Sequence, residues 1–292
     1  MAVYSTAPRR YPFLPVGRSR RRDQRDSQAT MCLIAFNWQP QAPVPLTLIA
    51  NRDEFYARPT QALHKWEDTG FLAGKDLQAG GTWLGVSHTG RVAALTNHRD
   101  VNQHRDDAPS RGDLTSAFLR GTASCAQYLE TLAATAHQYN PFNLLVFDGH
   151  SAMGFESRHG QPFALAPGVG AVSNADFGTP WPKLQRLQAA YTQHLAKHGL
   201  AQGDAAPSHH GDLFAMLAER RLAADDALPH TGLPIERERA LSAEFIHTPT
   251  YGTRASSLLF VHRHGASFFE RSFDAAGMSG EVHHTTTWGT TL

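Results

Sequence analysis

From Met31 onward the chain is built of short apolar runs broken by Gly, Pro and Asn, and their order limits the architectures open to it. "MCLIAFNW" and "LTLIANRD" flank the Pro-rich turn "QPQAPVP" and read as a hairpin. Gly80-Gly81 then opens a turn, and "TWLGVS" and "RVAALTN" read as a second hairpin closed by "HTG". Two helices follow: one over "RGDLTSAFLRG" with Ser110 and Asp113 as a capping-box-like start, and one from Cys125 to His137. "PFNLLVFDG", "SAMGFES", "PFALAPG" and "VGAVSN" return to strands. The clearest helix is "PWPKLQRLQAAYTQHLAKHG", with Pro182 near its start, Gly199 after its end, and Leu184, Leu187, Tyr191 and Leu195 as one stripe. "AQGDAAPSHHG" reads as a loop, "DLFAMLAERR" as a helix, and "ASSLLFVHRHG" with "ASFFERSF" as a closing hairpin. Strands, helices, strands, helices, strands do not alternate as βαβ units do. The order predicts an α+β fold of antiparallel sheets with helices on their outer faces.

Charge separates a leader from this body. Residues 1–30 hold seven arginines and two aspartates, a net of +5, with Pro8, Pro12 and Pro15 and no helical or strand period. The other 262 residues hold 20 basic and 24 acidic side chains, a net of −4. An acidic body argues against nucleic-acid binding, which needs a basic face for phosphates. At 41% hydrophobic and 18% charged the chain can bury a large core. No apolar run approaches the roughly 18–20 residues of a membrane span. Cys32 and Cys125 make no disulfide framework, which fits a reducing compartment and a cytoplasmic location. Residues 1–30 are therefore expected to be a disordered Arg/Pro-rich leader or to lie before the true start, and residues 31–292 to form a single domain.

There is no GxGxxG or GxxxxGK[ST] turn and no HExxH. The pairs His209-His210, His262/His264 and His283-His284 read as solvated positions, and no metal-ligand set is assigned. The chemistry centres on Cys32. If Met31 initiates the chain and is removed, Cys32 carries both a thiol and a free α-amino group. An α-amine titrates at about 7.7–8.0, so it can take the proton of its own thiol. The alternative is a small buried hydrophobe opening a core strand. Arg52 and Asp53 end the neighbouring strand, where Arg52 could lower a thiol pKa and Asp53 could hold the protonated amine. Asn97 and Asn174 each close a strand and could aim an amide N–H at a developing oxyanion. Arg254 precedes the penultimate predicted strand and adds a cation. Trp66, Trp83, Phe155 and Phe177 are either core or the lining of an apolar pocket.

Taken together, "MCLIAF", "LIANRDEFYARP", "GGTWLGVSHTGRVAALTN", "SRGDLTSAFL", "PFNLLVFDG", "AVSNADFGTPWPKL" and "YGTRASSLLF" resemble, in order, the NRDE or transport and Golgi organisation protein 2 family. That family is similar to N-terminal-nucleophile hydrolases of the penicillin V acylase and bile salt hydrolase type. The resemblance implies a four-layer αββα sandwich and amide cleavage by an N-terminal cysteine. Carried over, Cys32 matches the nucleophile, Asp53 the aspartate at its amine, Asn97 and Asn174 the oxyanion and substrate asparagines, and Arg254, more loosely, a late arginine. Those hydrolases carry Arg-x-x-Asp where Arg52 and Asp53 are adjacent here, so Arg52, with Trp83, is expected on the substrate side only. The resemblance implies two readings. One is a cysteine amidohydrolase acting on a small-molecule, non-peptide C–N bond without a required cofactor. The other is a non-catalytic protein of haem or acyl-lipid trafficking, tied to haem mobilisation, lipid homeostasis and Golgi or secretory organisation.

Overall fold

The computed structural model describes residues 31–100, 103–199 and 209–288. The leader expected at 1–30 lies outside the described residues, as does most of the loop expected from 201. One antiparallel sheet has six strands in the order β10 (Gly168–Val172), β1 (Met31–Trp38), β2 (Leu46–Phe55), β11 (Tyr251–His262), β12 (Gly265–Asp274) and β13 (Gly277–Thr287). The other has seven, in sequence order: β3 (Thr60–Lys65), β4 (Leu72–Asp76), β5 (Leu84–Val86), β6 (Val92–Asn97), β7 (Phe142–Phe147), β8 (Ala152–Glu156) and β9 (Gln161–Ala164). Five helices accompany them among the described residues: α1 (Gly112–Arg120), α2 (Cys125–Ala133), α3 (Pro182–His198), α4 (His210–Leu217) and α5 (Ile235–Ala240).

The layering follows from strand alternation. In β1, Ile34, Phe36 and Trp38 point inward and join Leu84, Val92, Leu145 and Phe147 of the second sheet in one core. Leu33 and Ala35 point outward and meet Leu184, Leu187 and Tyr191 of α3 and Leu213, Phe214 and Leu217 of α4. On the other side Ala93, Leu95, Leu144 and Val146 pack beneath Leu114, Phe118 and Leu119 of α1 and Leu129 and Leu132 of α2. The molecule is thus helix, sheet, sheet, helix: the expected α+β sandwich. A strand covered on both faces reads as a continuous apolar run, which is why "MCLIAFNW" lacks alternation.

Several local expectations change. The two early hairpins belong to different sheets, because β3 and β4 intervene and start the second sheet. The hairpin β11–β12 is not the last element, since β13 pairs with β12 from Gly265↔Thr287 to Asp274↔Gly277. Ser110 does not cap α1. Arg111 stands at the N-cap with αR backbone and no side-chain cap, and Ser110 offers only its carbonyl to Asp113 N–H at 3.2 Å. The capping box sits instead at α2, where Ser124 and Gln127 bond each other's backbone N–H. That helix ends at Ala133, and a 3₁₀ turn, Ala136–Gln138, replaces its expected last turn. No helix among the described residues is long and apolar enough to cross a membrane.

Candidate active site

The first residue pairs of the β1–β2 ladder set the geometry. Met31 lies opposite Asp53 and Cys32 opposite Arg52. Directly opposed residues share a face, and successive residues alternate. Cys32, Arg52 and Glu54 therefore face inward between the sheets, while Met31 and Asp53 face the α3 layer. Adjacent Arg52 and Asp53 serve opposite faces of one strand.

The inward face opens on a cavity of about 790 Å³ whose wall includes Cys32, Arg52, Trp83, Asn97 and Arg254. Its charges are interlocked. Arg52 lies 3.6 Å from Glu54 and 3.5 Å from Asp76, and Arg58 lies 2.7 Å from Asp76 and 3.6 Å from Glu54. Burial pushes the Cys32 thiol up to about 12, with the Asp53 carboxylate adding to the shift and the Arg52 guanidinium opposing it. With Met31 attached, the thiol is protonated at neutral pH and is a poor nucleophile.

Asp53 is fully buried. Thr253 donates to its Oδ1 at 2.6 Å, and its Oδ2 has no hydrogen-bond partner among the described residues. Burial raises this carboxyl to about 6, and Lys183 is the chief opposing charge. Lys183 is 1% exposed, and its Nζ has no hydrogen-bond partner among the described residues. Desolvation lowers it to about 8, opposed first by Asp53. Met31 lies on the same outward face. It packs against Leu241, Ile246 and Tyr251, and Arg99 Nη2 lies 3.0 Å from its sulfur. Arg99 is itself paired with buried Glu238.

Asn97 closes β6 at the cavity, and its carbonyl accepts from Asn174 Nδ2 at 2.8 Å. Asn174 is buried and lines a neighbouring cavity of about 520 Å³. Ser173 Oγ stands 3.0 Å from Asn174 Oδ1 and 2.9 Å from the Cys32 carbonyl, so Asn174 connects to Cys32 through its neighbour. Arg254 falls where the β2–β11 register shifts, between Thr253 and Ala255. A bulge re-aims a side chain, and here the guanidinium donates to the carbonyls of Phe55, Tyr56, Arg58 and Phe273 and to Thr60 Oγ1. Arg254 thereby ties the β2–β3 connection to β11 and β12. Of the four aromatics considered for a pocket, Trp83 reaches the cavity wall, Trp66 and Phe155 sit in the core beneath α1 and α2, and Phe177 packs on the inter-sheet core.

Three further residues were not singled out from sequence. In the sequence Lys183 reads only as part of an amphipathic helix. The available signal was a lysine in the first turn, where the helix dipole disfavours cations. Arg111 lines the cavity, donates to the Pro141 carbonyl at 3.0 Å, and is lowered to about 10 by desolvation. Its position depends on close backbone packing: a Cβ on Gly81 would stand 2.6 Å from the Gly112 carbonyl carbon. Glu270 also lines the cavity, accepts from Leu63 N–H at 2.7 Å, and is raised by burial to about 7.

The profile of the Transport and Golgi organisation 2 family matches residues 31–275. The chain is 35% identical over 263 residues to the Transport and Golgi organization protein 2 homolog of Bos taurus, covering 83% of this chain and 93% of that protein. It is 32% identical over 265 residues to the Homo sapiens homolog, with the same coverage. Among solved structures it is similar to a mutant conjugated bile acid hydrolase from Clostridium perfringens, with a TM-score of 0.45 and 9% identity over 90% of this chain and 98% of that one. The chain belongs to the Transport and Golgi organisation 2 family.

Proposed function

We propose that the chain is a cysteine amidohydrolase whose nucleophile, Cys32, acts once it has become the first residue. The observation that carries this reading is the buried polar pair on the outward face beside the 31–32 peptide. There, Asp53 Oδ2 and Lys183 Nζ are both buried without hydrogen-bond partners among the described residues. Buried polar atoms without partners are costly. An α-ammonium on Cys32 would lie in the sheet plane next to Asp53, supply the missing donor, and add a positive charge where Asp53 is raised by burial.

In this reading the amine takes the Cys32 proton and the thiolate attacks a substrate carbonyl in the inter-sheet cavity. Asn97 steadies the oxyanion, and the Asn174–Ser173 link holds the Cys32 carbonyl in place. The α-ammonium returns the proton to the departing amine, leaving a thioester. Water activated by the same amine then releases the acid and restores the thiol. Asp53 holds the amine, and Lys183 is the chief charge beside Asp53. Arg52, Arg111 and Trp83 form the substrate wall, and its charge suits a small polar amide.

The test has two stages. Intact mass of the protein made from its whole gene reports whether Cys32 is N-terminal. Protein with Cys32 exposed is then assayed on simple N-acyl amides beside Cys32→Ala. Turnover and an acyl adduct in the first protein alone is the expected result. The competing reading is a carrier of haem or acyl lipid without turnover, which rests on Trp83 at the cavity wall. A processed protein that hydrolyses nothing, while binding haem or acyl chains as well as Cys32→Ala does, establishes the carrier and removes the enzyme.

A further inference from the structure

The opposite end of α3 carries a side-chain cluster that the Cys32 site does not use. His194 and His198 are four residues apart on this helix and share one face. α4 begins just beyond, at His210, with His209 before it and Asp212 in its first turn. The ring centroids of His194 and His198 are 4.8 Å apart, those of His198 and His209 4.2 Å, and those of His194 and His209 6.3 Å. His209 Nδ1 lies 3.8 Å from the Asp212 carboxylate. One ligand atom from each of His194, His198 and Asp212 falls within 4.8 Å of the others.

We infer that His194, His198, His209 and Asp212 bind one divalent transition-metal ion of the zinc class and staple α3 to α4. Three imidazoles and one carboxylate form a borderline-soft donor set suited to tetrahedral zinc. Donor atoms around such an ion stand about 3.4 Å apart, as metal–ligand bonds of about 2.0–2.1 Å require. His194 is buried and fixes one corner, while His198, His209 and Asp212 are exposed and can close the remaining gap by side-chain rotation.

The bland reading is a set of solvated helix-end histidines. It gives no reason for ligand atoms of His194, His198 and Asp212, from two helices, to fall within 4.8 Å of one another, with the His209 ring 4.2 Å from that of His198. A second group, Glu156, His159 and Asp176, offers a single imidazole, and its ion pair at 2.9 Å already accounts for it. His194 and His198 lie 11 and 15 residues beyond Lys183, roughly 17–23 Å along the helix, so the ion would have a structural role apart from Cys32.

The test uses the full-length, untagged chain, stripped with a chelator and titrated with zinc. One zinc ion per chain, a rise of several degrees in Tm, and tetrahedral visible bands on Co(II) substitution are expected. His198→Asn/His209→Asn changes only exposed side chains and should lower zinc affinity at least tenfold and abolish the cobalt bands, with the metal-free unfolding midpoint unchanged. His262→Asn/His264→Asn should leave binding intact. Failure of the wild-type chain to take up one equivalent overturns the assignment, as does binding that survives unchanged in the His198/His209 variant.

Discussion

Replacing Glu270 by glutamine isolates one buried carboxyl at the cavity wall. Glu270 is 3% exposed and held by Leu63 N–H at 2.7 Å, with Ser257 and Ser272 hydroxyls at 3.4 and 3.5 Å. Its folded pKa is about 7 against an ordinary 4.5, with burial as the main cause. Between those values the folded protein binds more protons than the unfolded chain, so stability falls as pH rises from about 4.5 to about 7. At about 1.36 kcal/mol per unit, the penalty is small near pH 5 and approaches about 3 kcal/mol near pH 8. Glutamine keeps an acceptor for Leu63 and carries no charge at either pH. Glu270→Gln should therefore gain about 2–3 kcal/mol relative to wild type on moving from about pH 5 to about pH 8. Urea unfolding of both chains at the two pH values measures it. Asp53, also raised, is present in both and cancels in the difference. Parallel pH profiles for the two proteins would refute the placement of an ionisable Glu270 in a desolvated wall.

Other perturbations probe the rest of the site. A chain that still carries Met31 should be alkylated by iodoacetamide at Cys32 roughly a thousandfold more slowly at neutral pH than one in which Cys32 is terminal, because a buried thiol near 12 holds little thiolate and has no amine to take its proton; equal rates by peptide mapping would mean that the amine does not act as the base of this thiol. Arg99→Met strips the buried Glu238 of its cation and should cost about 3 kcal/mol or more in urea unfolding. A loss under about 1 kcal/mol would mean that the pair is solvated. Gly81→Ala must push against the backbone of Gly112, with an expected cost of about 1–3 kcal/mol. Wild-type stability in that variant would show that α1 and the Gly80–Gly81 turn do not meet as described.

Legibility in the sequence tracked burial. β1, β2, β6, β7 and β11 are largely buried, so their apolar runs announced them. β3 and β13 are edge strands, each paired on one side. The exposed run "GMSGEVHHTTT" has no hydrophobic signal to read. The "IERERA" of α5 buries only Glu238, so it shows no apolar stripe. Cys32, Arg52 and Asp53 could be grouped because a hairpin makes them neighbours. Lys183 and Glu270 reach the site from elements more than a hundred residues away, and only the first-turn position of Lys183 marks either of them locally. The helix-end cluster joins His194 and His198 at the end of α3 to His209 and Asp212 at the start of α4, a separation that no local spacing reveals.

The register of β1 against β2 sets a strict tolerance on any maturation step. The sheet acts as a partition, with Cys32 sulfur on the cavity side and Asp53 with Lys183 on the helix side. The backbone nitrogen of residue 32 lies in the sheet between the two. If the chain began one residue earlier, the ammonium would shift by about 3.3 Å along the strand and Cys32 would keep an amide in place of a base. If it began one residue later, the leading side chain would be Leu33, facing the helices. In the proposed mechanism a start one residue early leaves a buried thiol without its base, and a start one residue late removes the thiol.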